Sequence, residues 1–375
     1  MSRPRARSLI LVILFAPLGS AMAQAPAPAA EPAAALKPAA AGPDTPLAAE
    51  QADVYRTRLI EALRSDESFK VRLQAAVFLG RSEDDRAVEP LIAALGSDEH
   101  YTVRAAAATA LANLNVAKAI SHIIRRIATD LDPFVREEAT RALQKYDPEE
   151  ALPYAVATYG SEDAAVRKET ISYLVGLNSA GSEPTLMKAL GDTPEIFEVV
   201  RTHLLKRGKD DVLRFLAMAL EHRDASVRTG AVQVLDEMAT AEAALLVHKV
   251  YDRDIEADAV RAATRRALRH MRQFLPVDQI VKDAVDSPQK HARAKALKLL
   301  GVLGGEQAQK VLLGALNDED AYVRGNAVMA MGELGDPAVV PALEKMEADP
   351  ANQRIVHLVR HAIAQLRRKQ AAAAN

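Results

Sequence analysis

A short phrase recurs about every 32 residues along this chain, and it constrains the fold more than any other feature of the sequence. The phrase is an apolar residue followed by Arg, two variable residues and a small residue. It occurs at Val71-Arg72, Val103-Arg104, Val135-Arg136, Val166-Arg167, Val227-Arg228, Val260-Arg261, Ala292-Arg293 and Val323-Arg324. Arg167 and Arg228 are separated by nearly two periods, which indicates one more repeat without Arg. Periods of this length predict a solenoid of stacked repeats.

The apolar residues around each Arg form one stripe of an α-helix. They fall at positions −1, +3, +6, +7 and +10 from the Arg, a spacing that places them on one helix face. The same template fits two repeats in which Phe197 and Val356 replace the Arg. The anchors are then residues 72, 104, 136, 167, 197, 228, 261, 293, 324 and 356. We therefore predict an all-α solenoid of ten helical hairpins, or about twenty helices.

Composition agrees with a helical array. The 375 residues are 49% hydrophobic but only 4% aromatic, without Trp, and a core of Ala, Leu and Val suits closely packed helices. The chain contains no Cys, which excludes disulfides, thiolate metal ligands and thiol catalysis. No motif in the sequence predicts a cofactor.

The N-terminus has the pattern of a secretory signal peptide over residues 1–23. Three Arg residues precede the apolar run Leu9–Leu18, and Ala21-Met22-Ala23 provides a cleavage site. Residues 24–44 are rich in Ala and Pro and predict a disordered linker. We expect the repeats to occupy residues 45–369, followed by a disordered tail at 370–375. No other apolar run is long enough to span a membrane, so the mature chain is expected to be periplasmic or secreted.

An Asp-rich turn followed by a Val-Arg helix resembles HEAT repeats, in particular the short repeats named after phycobilisome bilin lyases. The resemblance covers roughly residues 45–369 and implies an armadillo/HEAT-like superhelix whose second helices line a concave face. It also implies that turn Asp and second-helix Arg residues form a structural ladder between neighbouring repeats. Within repeats, the resemblance pairs Asp66 with Arg72, Asp98 with Arg104, Asp130 with Arg136, and Asp318 with Arg324. The other ladder residues are Arg167, Arg228, Arg261 and Arg293, and the ladder is expected to be interrupted at Phe197 and Val356.

The same resemblance raises two enzymatic alternatives. One is a bilin-lyase-like activity, which the export signal contradicts. The other is a metal-dependent oxidoreductase similar to deoxyhypusine hydroxylase, a HEAT-repeat enzyme that binds two iron ions through His-Glu dipeptides. This chain has no such dipeptide. We therefore favour a non-catalytic scaffold for protein interaction or assembly and keep the enzyme as the alternative.

Charge is segregated along the chain, although the net charge is only −2. Residues 261–298 contain ten Lys or Arg against three Asp, a net charge of +7, whereas residues 44–100 carry seven basic and twelve acidic residues, a net charge of −5. Segregated charge steers partners of opposite sign. We predict that an extended or acidic protein segment binds repeats six to nine, where the contacts are Arg266, Arg269 and Lys298, flanked by Val328 and Met329. Arg141 occupies the equivalent position in repeat three.

Two other ligand classes receive little support. Nucleic-acid binding needs aromatic residues among the cations, and the basic segment has only Phe274. His357 and His361 lie four residues apart and form a weak candidate pair for a metal, but no third ligand is evident. The sequence does not determine the oligomeric state.

Overall fold

The fold consists of helical hairpins, and the computed structural model describes residues 46–251, 253 and 256–374. The first helices are α1 (Pro46–Ser65), α3 (Val88–Ser97), α5 (Ile120–Thr129), α7 (Pro148–Thr158), α9 (Glu183–Ala189), α11 (Lys209–Ala219), α13 (Ala241–Tyr251), α15 (Val277–Asp286), α17 (Glu306–Ala315) and α19 (Val340–Ala348). The second helices are α2 (Phe69–Leu79), α4 (Tyr101–Asn113), α6 (Pro133–Leu143), α8 (Ala164–Leu177), α10 (Pro194–Leu204), α12 (Ala225–Met238), α14 (Asp258–His270), α16 (Lys290–Leu303), α18 (Ala321–Leu334) and α20 (Val356–Ala374). Over the described residues there is no strand, and the predicted α-solenoid of ten hairpins is confirmed.

The chain divides into two compact units, residues 1–58 and 59–375. Of the first unit, the structure describes residues 46–58, which form the first part of α1. The predicted signal peptide and linker, residues 1–44, lie outside the described residues. None of the described helices has both the length and the apolar character that a membrane crossing requires. At the other end, α20 continues to Ala374, so the expected disordered tail is wrong for residues 370–374, where Ala-rich sequence favours helix.

The core of the second unit follows the apolar stripe. In α4, Val103, Ala107, Ala110 and Leu111 have at most 2% of their surface exposed. The Val that precedes each Arg is buried in most repeats, and burial of one such side chain contributes about 1.5–3 kcal/mol. Small residues dominate this stripe, so the helices approach closely.

Aspartates in the turns cap the N-termini of the second helices. Asp132 accepts a hydrogen bond from the Phe134 amide at 2.9 Å, and Asp320 accepts one from the Tyr322 amide at 2.8 Å. Each carboxylate satisfies an amide of the first helical turn, which has no partner within its own helix. The Asp-rich turns therefore determine where the second helices begin.

Successive second helices do not pack equally closely. The most extensive packing joins α16 to α18, where a Cβ on Gly301 would lie 2.6 Å from the Ala330 carbonyl oxygen. The helices α6 and α8, α10 and α12, and α14 and α16 pack less extensively. Extensive packing between the second helices of neighbouring repeats is thus interrupted at three junctions, which follow repeats three, five and seven.

Candidate functional site

The recurring Arg residues connect neighbouring repeats through a repeated hydrogen-bond pattern. Arg104 Nε and Nη2 each donate to the Asp130 carboxylate of the next repeat, both at 2.8 Å. Its Nη1 donates to the main-chain oxygens of Asp98 and Glu99 at 2.9 and 3.2 Å. One guanidinium therefore fixes its own turn and binds the following turn. We call each such connection between repeats a rung.

Six rungs are present among the described residues. They are Arg72 with Asp98, Arg104 with Asp130, Arg167 with Asp192, Arg228 with Glu256, Arg293 with Asp318, and Arg324 with Asn352. The expected side-chain pairs within repeats are wrong. Asp66, Asp98, Asp130 and Asp318 offer their main-chain oxygen to the Arg six residues later, because Nη1 points to that turn while Nε faces the next repeat.

Two predicted ladder arginines form no rung. Among the described residues, Arg136 donates only to the main chain of its own turn, and Arg261 pairs with Asp258 of its own helix at 2.5 Å. In the following repeats, Ser161 and Ser287 stand at the turn position that Asp98, Asp130 and Asp318 occupy elsewhere. After repeat five, Phe197 has no guanidinium to donate. These three junctions are also those where the second helices pack loosely.

Two of the rung carboxylates, Asp130 and Asp192, are held in the charged form. Burial of Asp130 opposes ionisation, but the Arg104 guanidinium and the Asp132 amide outweigh burial and keep the pKa of that carboxyl below its ordinary value. Burial of Asp192 has the same effect, and Arg167, the Tyr159 hydroxyl and the Thr193 amide together lower its pKa. These two rungs are therefore strongest above the ordinary pKa of Asp.

The residues predicted to bind a partner have different surroundings. Arg141 pairs with Glu137 and Glu138 of its own helix, and Arg266 lies 3.6 Å from Asp236. Val328 is wrong as a contact, since it is fully buried. Its position, +4 from the Arg, is buried in other repeats too, at Ala108, Ile171, Val232 and Leu297.

Arg269 is partly committed to structure. Its Nε donates to the Val302 main-chain oxygen at 2.9 Å, and its Nη2 donates to Glu333 at 2.9 Å. Carbonyls in the last turn of a helix lack an intrahelical donor, so Arg269 caps the end of α16. Lys298 and Met329, in contrast, are exposed on α16 and α18.

Lys298 and Met329 line a groove of about 520 Å³ formed by α14, α16 and α18. We call it the cationic groove. Its lining residues are Tyr251, Arg253, Arg261, Arg265, His291, Lys295, Lys298, Tyr322, Met329, Ala330, Glu333 and Gln365. Five Lys or Arg residues thus face one carboxylate among the described lining residues, beside two Tyr and one Met.

Some of the positive charge in the cationic groove is already balanced. Arg253 pairs with Glu221 and lies 3.4 Å from Glu256, while Arg265 Nη1 lies 3.4 Å from Glu333. Lys298 has no hydrogen bond or ion pair with a described residue. Arg261 also pairs with Asp258, so among the described lining residues Lys298 is the cation whose charge is left for an anionic ligand.

Sequence reasoning missed Arg265, Lys295 and Tyr322, and assigned Arg261 to the ladder. A signal was available in the spacing. Arg261 and Arg265 are four residues apart on α14, and His291 and Lys295 have the same spacing on α16, so each pair shares a helix face. The turn residue Ser287 also showed that Arg261 would lack its carboxylate in the next repeat.

The histidine pair remains on the surface. His357 and His361 are both exposed on α20. Within the described ranges, no group of three His, Asp or Glu side chains is arranged to hold a metal ion. The pair on its own supplies at most two ligands.

The chain belongs to the HEAT-repeat family. The family model for HEAT repeats matches residues 57–144, 124–204 and 277–365, more than half of the chain. No curated protein matches the sequence.

Solved structures with similar folds include Kap121p, at 14% identity and a TM-score of 0.37 over 85% of this chain and 42% of Kap121p. Human deoxyhypusine hydroxylase in complex with glycerol is 18% identical, with a TM-score of 0.27 over 77% of this chain and 99% of the enzyme. A microtubule polymerase TOG-domain structure is 10% identical, with a TM-score of 0.31 over 80% of this chain and 99% of that chain. This chain therefore spans less than half the length of Kap121p.

Proposed function

We propose that this protein is an exported, non-catalytic scaffold of the short-repeat HEAT type that binds a protein partner through its second helices. The partner contributes an extended or acidic segment, which lies in the cationic groove. One observation carries this proposal: five cationic side chains from neighbouring repeats converge on a groove with a single described carboxylate. Solenoids commonly use such continuous surfaces for recognition.

The chemistry of the cationic groove favours an acidic polypeptide. Arg and Lys side chains bind carboxylates through charge-assisted hydrogen bonds, and a positive groove raises the association rate with acidic partners. Met329 and Tyr322 add partly exposed apolar surface beside the cations. A peptide with acidic and apolar side chains can use both kinds of contact.

A capture experiment with matched variants tests the proposed function. We expect the tagged mature protein to retain a partner from the envelope fraction, and Arg265→Glu with Lys298→Glu to lose it. The control is Lys282→Glu with Lys310→Glu, which makes the same charge change on exposed first helices of repeats eight and nine. Equal retention by both double variants at low and moderate salt would contradict the proposal.

Two further measurements address location and catalysis. The pattern of residues 1–23 supports export, so fractionation of cells should place the mature protein outside the cytoplasm. Metal analysis of the purified protein separates the scaffold from the oxidoreductase alternative. Stoichiometric iron would contradict the non-catalytic proposal.

A further inference from the structure

Glu333 makes an unusual contact in the cationic groove. Its Oε1 accepts from Arg269 Nη2 at 2.9 Å and its Oε2 lies 3.4 Å from Arg265 Nη1. Both arginines belong to α14, whereas Glu333 belongs to α18, so the contact passes over α16. The rungs join adjacent repeats, but this contact joins repeats seven and nine. Glu333 is also the only carboxylate among the described lining residues.

Two cations near Glu333, Arg265 and Lys298, have hydrogen-bond donors without an acceptor in the described structure. Arg265 Nε is buried and has no hydrogen-bond acceptor in the described structure. A buried N–H without an acceptor is costly, and native proteins rarely leave one. Lys298, exposed on the neighbouring helix α16, has no ion pair with a described residue. The Glu333 carboxylate alone therefore does not supply acceptors for all the hydrogen-bond donors in this part of the groove.

We infer that Glu333 is an internal competitor for the acidic ligand of the cationic groove. A carboxylate of the bound polypeptide displaces Glu333 from Arg265, and a second one pairs with Lys298. Arg269 keeps its bond to the Val302 oxygen, so the end of α16 remains capped when Glu333 moves. This inference rests on the proposed function and adds the residue that limits affinity.

The choice of a polypeptide over an anionic membrane follows from the shape and lining of the site. The cations of α14 and α16, with Arg253 of the preceding connection, converge on one concavity and are accompanied by Tyr322 and Met329 of α18. A flat membrane surface would instead favour cations spread over a projecting face. We therefore commit to an acidic segment with interspersed apolar residues.

The test uses a defined probe and the full mature chain. The probe is a fluorescein-labelled twelve-residue peptide in which Glu alternates with Leu or Ala, and its binding is followed by fluorescence anisotropy. Glu333→Gln keeps the shape of the side chain but removes its charge. Glu306→Gln is the matched control, because Glu306 is exposed on α17 and lies outside the groove. Thermal melts establish that each variant is folded, and Glu333→Ala is a second variant.

We expect Glu333→Gln to bind the peptide roughly three- to ten-fold more tightly than wild type, since two ion pairs of a partly exposed carboxylate no longer compete. Glu306→Gln should change affinity by less than about two-fold, and Lys298→Gln should weaken binding. Equal affinity of wild type and Glu333→Gln would overturn the inference about Glu333 but leave the scaffold function standing. Absence of peptide binding in all variants would overturn the assignment of an acidic polypeptide as the ligand. Binding to anionic lipid vesicles as tight as binding to the peptide would overturn it too. The capture experiment described above would still test the scaffold function.

Discussion

Replacement of Arg104 by Ala tests whether the rungs hold neighbouring repeats together. Asp130 accepts both rung hydrogen bonds of Arg104, and its side chain is only 1% exposed, whereas that of Arg104 is 15% exposed. The substitution removes both bonds to Asp130 and the two bonds to the turn at Asp98 and Glu99. It therefore leaves a buried carboxylate whose remaining partners are the Asp132 amide and Arg126 at 3.6 Å.

The expected cost is large for a single side chain. Loss of one partner of a buried ion pair typically costs about 3–5 kcal/mol, and the partial exposure of Arg104 reduces our expectation to about 2–4 kcal/mol. The matched control is Arg141→Ala in the neighbouring second helix. Arg141 is 57% exposed and pairs only with carboxylates of its own helix, so its loss should cost less than about 1 kcal/mol.

Hydrogen exchange is the appropriate assay, because repeat arrays open in segments and a global unfolding curve averages over them. Amides of α4 and α6 should exchange roughly 30- to 700-fold faster in Arg104→Ala, which corresponds to the expected loss at about 1.4 kcal/mol per factor of ten. Amides of α18 should not change. Unaltered protection of α4 and α6, or an equal loss in Arg141→Ala, would refute the reasoning about rungs.

Two other predictions concern pH and packing. The pKa values of Asp130 and Asp192 are lowered on folding, so their stabilisation is present above the ordinary Asp pKa and is lost as pH falls through the folded-state values. We therefore expect Asp130→Asn to be less stable than wild type at neutral pH but less sensitive to acid. Circular dichroism during acid titration measures both effects. Gly301→Ala forces a Cβ to within 2.6 Å of the Ala330 oxygen and should cost about 1–3 kcal/mol. Apart from the adjacent residues and its own helix backbone, a Cβ on Gly314 would have no described neighbour within 4 Å, so Gly314→Ala should be neutral or stabilising. A lower melting temperature for Gly314→Ala than for Gly301→Ala would contradict the packing argument.

The repeat architecture was readable from the sequence because one local pattern sets every hairpin. The Val-Arg phrase combines a helix stripe with a turn signal, and its period located even the repeats anchored by Phe197 and Val356. Each element depends mainly on residues within one repeat and its neighbours. The end of α20 was less readable, since an Ala-rich tail is compatible with both helix and disorder.

The candidate site was less predictable because it depends on how repeats meet. The apolar stripe of a single helix does not reveal that position +4 is also buried in the array, which is why Val328 was assigned to the surface. The rung partners were likewise assigned within repeats, although the side chains reach across them. Arg261 lines the groove because the next turn carries Ser287, a difference visible in the sequence only once the direction of the rungs is known.

The distribution of rungs has a mechanical consequence. From repeat four onward, rungs join repeats four to five, six to seven, eight to nine and nine to ten, whereas Ser161, Phe197 and Ser287 mark the described junctions without one. Under tension along the array, compliance is therefore concentrated at these three junctions, and the repeats between them move as blocks of two or three. The cationic groove spans the last of these compliant junctions, between α14 and α16, so stretching the array changes the spacing of the cations that face a bound segment.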